Sequence, residues 1–190
     1  TDTGIYETAP DGTLLRANAA LARMFGYADL EALCRGIGGD VATLYADPAE
    51  RARKLWILQR DGALHETLWQ AKRRDGGTFW VRESASRVAG PPERFLGTLT
   101  DVTSLVEAWA EVRRAEASYR SLFENAALGM YRSSPEGKQL RANPALVRLN
   151  GYADEAELLA AVNDIGTEWY VEPGPVSYTH LAGDSQMTLP

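Results

Sequence analysis

Cys34 is the single thiol of the chain, and His65 and His180 are its two histidines. One cysteine cannot build a disulfide framework or a multi-cysteine metal site within one chain, and its presence fits a reducing compartment, the cytoplasm. Glu66 and Glu83 are expected to face each other across a hairpin. Paired carboxylates do acid–base work beside a nucleophile, a metal ligand or a partner histidine, and the sequence places none with them. Gly36, Gly38 and Gly39 do not make a phosphate cradle, because they follow no clear strand and end in no Lys-Ser/Thr. Arg51, Arg53, Lys54 and Arg60 cluster, but Asp47, Glu50 and Asp61 lie among them, so a solvated helix face is expected. Trp56, Trp69, Trp80 and Tyr27 are flat surfaces expected to pack a core or a sheet more than to line a pocket. No catalytic residue and no metal site is expected in this segment.

A net charge of −6 and a pI near 5.0 disfavour nucleic acid, whose binding needs a basic face. A hydrophobic content of 45% supports a packed core rather than disorder. No apolar run approaches a membrane span of ~18 residues. The chain starts at Thr1 instead of Met, so a piece of a longer protein is expected.

The chemistry-bearing residues must be placed by a simple element order. Residues 4–8 suit a strand, Pro10-Asp11-Gly12 a tight turn, and residues 13–17 the returning strand. Asn18 is a helix cap before Leu21, Met24 and Phe25, which share one face, and Gly26 ends that helix. Asp29 caps a second short helix, residues 29–33, and Gly36, Gly38 and Gly39 then loosen the chain. Asp47-Pro48 opens a longer helix with Ala52, Leu55, Trp56 and Leu58 expected to face inward. From Leu64 the period changes to two. Residues 64–72, 79–85 and 94–100 then read as strands, the first two joined by the Arg74-Asp75-Gly76-Gly77 turn. Two strands, several helices and three strands make an α+β domain, a five-stranded antiparallel sheet with helices on one face.

Much of this pattern occurs twice. Tyr6 to Asp29 returns as Tyr131 to Asp154 at a constant offset of 125 residues, with 14 of 24 positions identical. A repeat of this length implies a whole small domain plus a connector. In the second copy Asn143 is again the cap, Pro144 takes the first helical position and Gly151 ends the helix. The likeness continues to Pro173 and stops there. The second copy is therefore an incomplete unit that exposes Leu146, Leu149 and Leu158, and residues 174–190 read as a tail of non-native origin.

Residues 104–125 hold no Gly or Pro. Ser104 with Glu107 resembles a capping box, with Thr103 as the competing cap. Leu105, Ala108, Val112, Ala115, Tyr119 and Leu122 follow a 3,4,3,4,3 spacing, the seam of a coiled coil. The alternative is an amphipathic helix lying on its own sheet.

The Pro10-Asp11-Gly12 hairpin, Arg16-Ala17-Asn18 leading to Leu21 and Phe25-Gly26-Tyr27, Arg73-Arg74-Asp75-Gly76-Gly77-Thr78-Phe79-Trp80-Val81, and Gly97 through Thr103 together resemble the PAS family of sensory domains. The resemblance implies a complete PAS domain over residues 1–102, a connecting or signalling helix over 103–125 and the first part of a second PAS domain over 126–173. It implies a sensory or relay fragment of a bacterial signal-transduction protein, a sensor histidine kinase first. The alternative is a small-molecule or cofactor receptor of a diguanylate cyclase or phosphodiesterase. Asp101 and Thr103 match the junction where the sheet hands over to the helix. A homodimer through the helical seam, a downstream output domain and a small-molecule ligand are the implied partners. Flavin is disfavoured, because Cys34 lacks the Asn-Cys-Arg-Phe-Leu surroundings of photoactive relatives. Haem is disfavoured too, because His65 sits at a strand start and the long helix carries Leu55, Trp56 and Leu58 instead of a histidine.

Overall fold

The computed structural model describes residues 2–162 and Ile165, and the expectations for residues 166–190, including His180 and the tail, lie outside them. The chain divides between Val112 and Arg113 into two compact units.

In the first unit, β1 (Thr3–Thr8) and β2 (Leu14–Ala17) form the hairpin, followed by α1 (Ala19–Met24), α2 (Leu30–Ile37) and α3 (Pro48–Asp61). A 3-10 turn, Val41–Leu44, lies between α2 and α3. Then come β3 (Ala63–Lys72), β4 (Thr78–Val88) and β5 (Arg94–Asp101). The sheet order is β2-β1-β5-β4-β3, and its pairings are antiparallel. The hairpin strand β1 thus lies beside the last strand β5, which closes the sheet around its first and last segments.

The alternation of β4 points Phe79, Val81, Glu83 and Ala85 to the helix-covered side, where all four are buried. The main core joins Phe79 and Val81 to Leu21, Phe25, Leu33, Ile37 and Trp69, while Ala85 packs in a second cluster with Leu58, Leu64 and Phe95. Burial of each such side chain contributes ~1.5–3 kcal/mol. Asn18 caps α1 by accepting from the Leu21 amide, as its position predicts.

Three local expectations change. Helix α2 runs on through Gly36 to Ile37, and Gly36 leaves room there for the Tyr27 ring, which a side chain at 36 would strike. On α3, Trp56 is 55% exposed and Ala52 is also exposed, while Lys54 and Leu58 are buried, so the inward face is rotated from the expected one. Glu66 and Glu83 do not face each other. A bulge between Leu64 and Thr67 sets Thr67 opposite Glu83, and Glu66 turns to solvent with φ 44°.

Helix α4 spans Thr103–Asn125. Its cap is not the Ser104–Glu107 box. Asp101 accepts the Thr103 amide at 2.9 Å and the Thr103 hydroxyl at 2.6 Å. In the second unit, β6 (Tyr131–Ser133) and β7 (Gln139–Ala142) pair, followed by α5 (Pro144–Leu149) and α6 (Glu155–Ala161). Leu146 and Leu158 are buried there in a small core with Ala142 and Val147, against expectation. Leu149 is 78% exposed, as expected. Helix α6 covers the apolar side of α5, which is why a partial unit hides two of the three leucines.

Candidate functional site: an interior cavity and the end of the sheet

Helix α3 and the inner face of the sheet leave a cavity of about 60 Å³ within the first unit. Aliphatic and aromatic side chains line most of it; Thr8, Lys54 and Glu83 are its buried polar residues, with the half-buried Tyr6 beside them. The last three arrive by ordinary local rules. Glu83 is in the inward phase of β4. Lys54 precedes the core residue Leu58 by four positions on α3 and so shares its face. Tyr6 pairs in register with Gly97 on β5, and a side chain at 97 would collide with the Tyr6 ring.

Lys54 Nζ donates to Glu83 Oε2 at 2.6 Å, with side chains only 3% and 4% exposed. The Tyr6 hydroxyl donates to the other Glu83 oxygen. The same ammonium lies 3.5 Å from the centre of the Trp69 ring and 4.7 Å from that of Tyr45. Those two rings stack at 4.1 Å. Burial pulls the Lys54 pKa down to about 8, against the opposing pull of Glu83 and Glu50. Burial, then the Glu83 charge, holds the Tyr6 hydroxyl well above its ordinary value. Removing either partner of such a buried pair leaves a charge without compensation and costs about 3–5 kcal/mol. The Nε1–H of Trp69, a cavity-lining residue, is buried without an acceptor.

A second cluster lies at the end of the sheet. The Arg73 guanidinium donates to Asp101 Oδ2 at 2.7 Å and to the Met24 carbonyl, and it stacks 3.8 Å over the Phe79 ring. Thr103 Oγ1 accepts the Trp80 amide at 2.9 Å, and the Val102 amide donates to the Trp80 carbonyl at 2.9 Å. Burial raises the Asp101 carboxyl, but bonds from Thr103 and then Arg73 outweigh it and hold the group below its usual value. Asp101 and Thr103, the two junction residues expected from the sequence, are therefore joined in one clasp. Phe25, which lines the cavity, packs edge-on against Phe79 at 5.3 Å. The clasp and the cavity thus share a wall.

No seam residue is among those that line the cavity. Leu105, Val112, Tyr119 and Leu122 are 54%, 67%, 54% and 69% exposed. Ala108 and Ala115 are exposed as well. Cys34 is half-buried on α2 and His65 is exposed on β3, and neither lines the cavity. Sequence reasoning missed Lys54, Glu83, Tyr6 and Arg73. The available signal was phase. Glu83 alternates with Val81 and Ala85, and Lys54 stands one turn before Leu58, so each charge occupies an inward position.

The PAS domain family model matches residues 2–104. The chain belongs to the PAS domain family. Among solved structures, it is similar to a sensory box histidine kinase/response regulator from Burkholderia thailandensis E264, at 18% identity and a TM-score of 0.50, covering 64% of this chain and 92% of that one. It is also similar to the PAS domain of a Colwellia psychrerythraea protein, at 19% identity and a TM-score of 0.46, covering 55% and 89%. An RNA-binding light-oxygen-voltage receptor matches at 29% identity and a TM-score of 0.49, covering 62% of this chain and 34% of the receptor's. No curated protein matches the chain. The cavity and the clasp both lie within the matched PAS residues.

Proposed function

We propose that this chain is a non-catalytic sensory relay of a bacterial signal-transduction protein, with a sensor histidine kinase as the parent. The PAS cavity is its input, the Arg73–Asp101–Thr103 clasp its transmission point, and α4 its output. The observation that carries this reading is the clasp. One guanidinium holds the end of α1, beside a cavity-lining phenylalanine, and the carboxylate that caps α4. A shift of the cavity wall that moves Met24 or Phe79 changes the restraint on the first turn of α4. Such an event biases a population between discrete helix packings. A full reversal from 1:99 to 99:1 takes about 5.5 kcal/mol of differential binding, so a weak ligand only modulates.

Two further parts belong to the proposal. The second unit is read as the start of another PAS domain. Support comes from Asn143, which repeats the bonds of Asn18 at the same offset. Asn18 accepts from Ile5 and Leu21 and donates to Thr3, while Asn143 accepts from Met130 and Leu146 and donates to Leu128. Helix α4 is read as the connecting helix, and its exposed seam as a parallel homodimer contact. No helix among the described residues is long and apolar enough to cross a membrane, and the cytoplasm is the compartment proposed.

The double variant Leu105→Asp, Val112→Asp tests the seam. Sedimentation is expected to show weaker self-association, with the tryptophan near-ultraviolet signal of the first unit unchanged. An unaltered mass, monomer or dimer, would show that the seam is not the interface.

A further inference from the structure

The buried ammonium of Lys54 sits in a cage that would suit a ligand ammonium equally well. A carboxylate receives its proton at 2.6 Å, and two stacked aromatic rings face it at 3.5 and 4.7 Å. Cation–π attraction of this kind favours organic ammonium groups and strengthens on desolvation. Lysine is a tenant on a flexible four-carbon stem, not a fixed wall. One turn before it on the same helix, Glu50 Oε2 is buried without a hydrogen-bond partner, while Arg53 occupies the other Glu50 oxygen. Side chains four apart on a helix are neighbours, so Lys54 has a second carboxylate within reach. The unused Trp69 Nε1–H supplies a donor for an oxygen on the same ligand.

We propose that the PAS cavity binds a compact organic ammonium bearing an oxygen, of the amino-alcohol class, which replaces Lys54 on Glu83, Trp69 and Tyr45 while Lys54 moves to Glu50. This rests on the reading of the cavity as the sensory input and names its ligand chemistry. No covalent step is involved: Glu83 exchanges one cation for another, and Glu50, already paired with Arg53, receives the lysine as a second cation, so the site gains the ligand's positive charge. With Lys54 in place the cage is occupied, so the ligand reaches Glu83 and the two rings only as the lysine withdraws. Ligand affinity is thereby coupled to the conformation of the Lys54 side chain.

Three probes of one shape and different charge test it: choline, its uncharged isostere neohexyl alcohol, and the anion tert-butylacetate. Binding is read by calorimetry and by the Trp69 indole N–H resonance. Choline is expected to bind the intact chain and shift that resonance, with neohexyl alcohol weaker by about tenfold. Lys54→Met vacates the cage and is expected to bind choline about tenfold tighter, and Glu83→Gln to lose it. Preference for tert-butylacetate, abolished in Lys54→Met, would overturn the ammonium class and leave the sensory-input reading standing. Equal binding of choline and neohexyl alcohol would overturn it in the same way. Failure of choline on both the intact chain and Lys54→Met would overturn it too. Native mass spectrometry of the purified protein then tests the input reading separately, through any small molecule it carries.

Discussion

Lys54 shows how one residue changes meaning with its surroundings. On α3 it faces Glu50 and Arg53 of its own helix, Glu83 of β4, Tyr6 of β1 and the rings of Tyr45 and Trp69. Its pKa falls from 10.5 to about 8, chiefly through burial. Between those values the unfolded chain keeps the proton and the folded chain sheds it. The unfolded state then binds more protons, so stability rises with pH across that window, by about 1–3 kcal/mol. Tyr6 and Tyr45 act oppositely at higher pH. Burial, with Glu83 next, keeps both phenols neutral in the fold beyond the ordinary value of 10.0, where the unfolded chain ionises. Stability is therefore expected to climb from about pH 8, peak near pH 10 and fall above it. Urea midpoints across this range check it, with Lys54→Met expected to remove the rising limb. A rising limb that survives in Lys54→Met would assign it to another group.

Elements are joined by a few polar contacts, among them the clasp. Asp101 ends β5, caps α4 through Thr103 and holds Arg73. Helix caps and charge-assisted bonds of this type each contribute about 1–2 kcal/mol. Asp101→Ala is expected to destabilise the first unit by about 2 kcal/mol. It should also accelerate hydrogen exchange at the Val106 amide, which donates to the Val102 carbonyl in the first turn of α4. Unchanged protection at Val106 would mean that the helix start does not depend on the clasp. The same element logic explains α2. The Cβ-free Gly36 admits the Tyr27 ring, so a residue that breaks helices by propensity is retained inside one by packing.

At the scale of the molecule, the two units carry separate cores. Each has an asparagine at a helix start: Asn18 ties α1 to β1, and Asn143 ties α5 to Leu128 and Met130, just before β6. Asn143 is fully buried and makes three bonds to Leu128, Met130 and Leu146. Asn143→Ala strands two backbone amides and one carbonyl, and is expected to cost the second unit about 2–4 kcal/mol. The melting of the first unit, followed through hydrogen exchange of β4, should be unaffected. A parallel loss in both units would show that they fold as one cooperative body. The exposed apolar residues of α4 belong to this scale too, since a row of such side chains marks an interaction surface more often than an ordinary solvent face.

Cap chemistry, turn glycines and the switch of period from 3.6 to two are local signals. For that reason Asn18, Gly26, Asp29 and the β3–β4 turn were legible along the chain, and with them the α+β order. Asp101 and Thr103 were named through the family resemblance, as the match to its sheet-to-helix junction, and their bond to each other needs only two residues of separation. The Lys54–Glu83 pair could not be named, because its members lie 29 residues apart. Which face of α3 turns inward depends on how the helix packs on the sheet, and the strong apolar residue Trp56 misled the assignment. Arg73 joins Met24 and Asp101 across 49 and 28 residues. Contacts of that separation arise only when the hairpin order brings the strands together, so the folded chain, and not its local pattern, places the charged groups of the cavity.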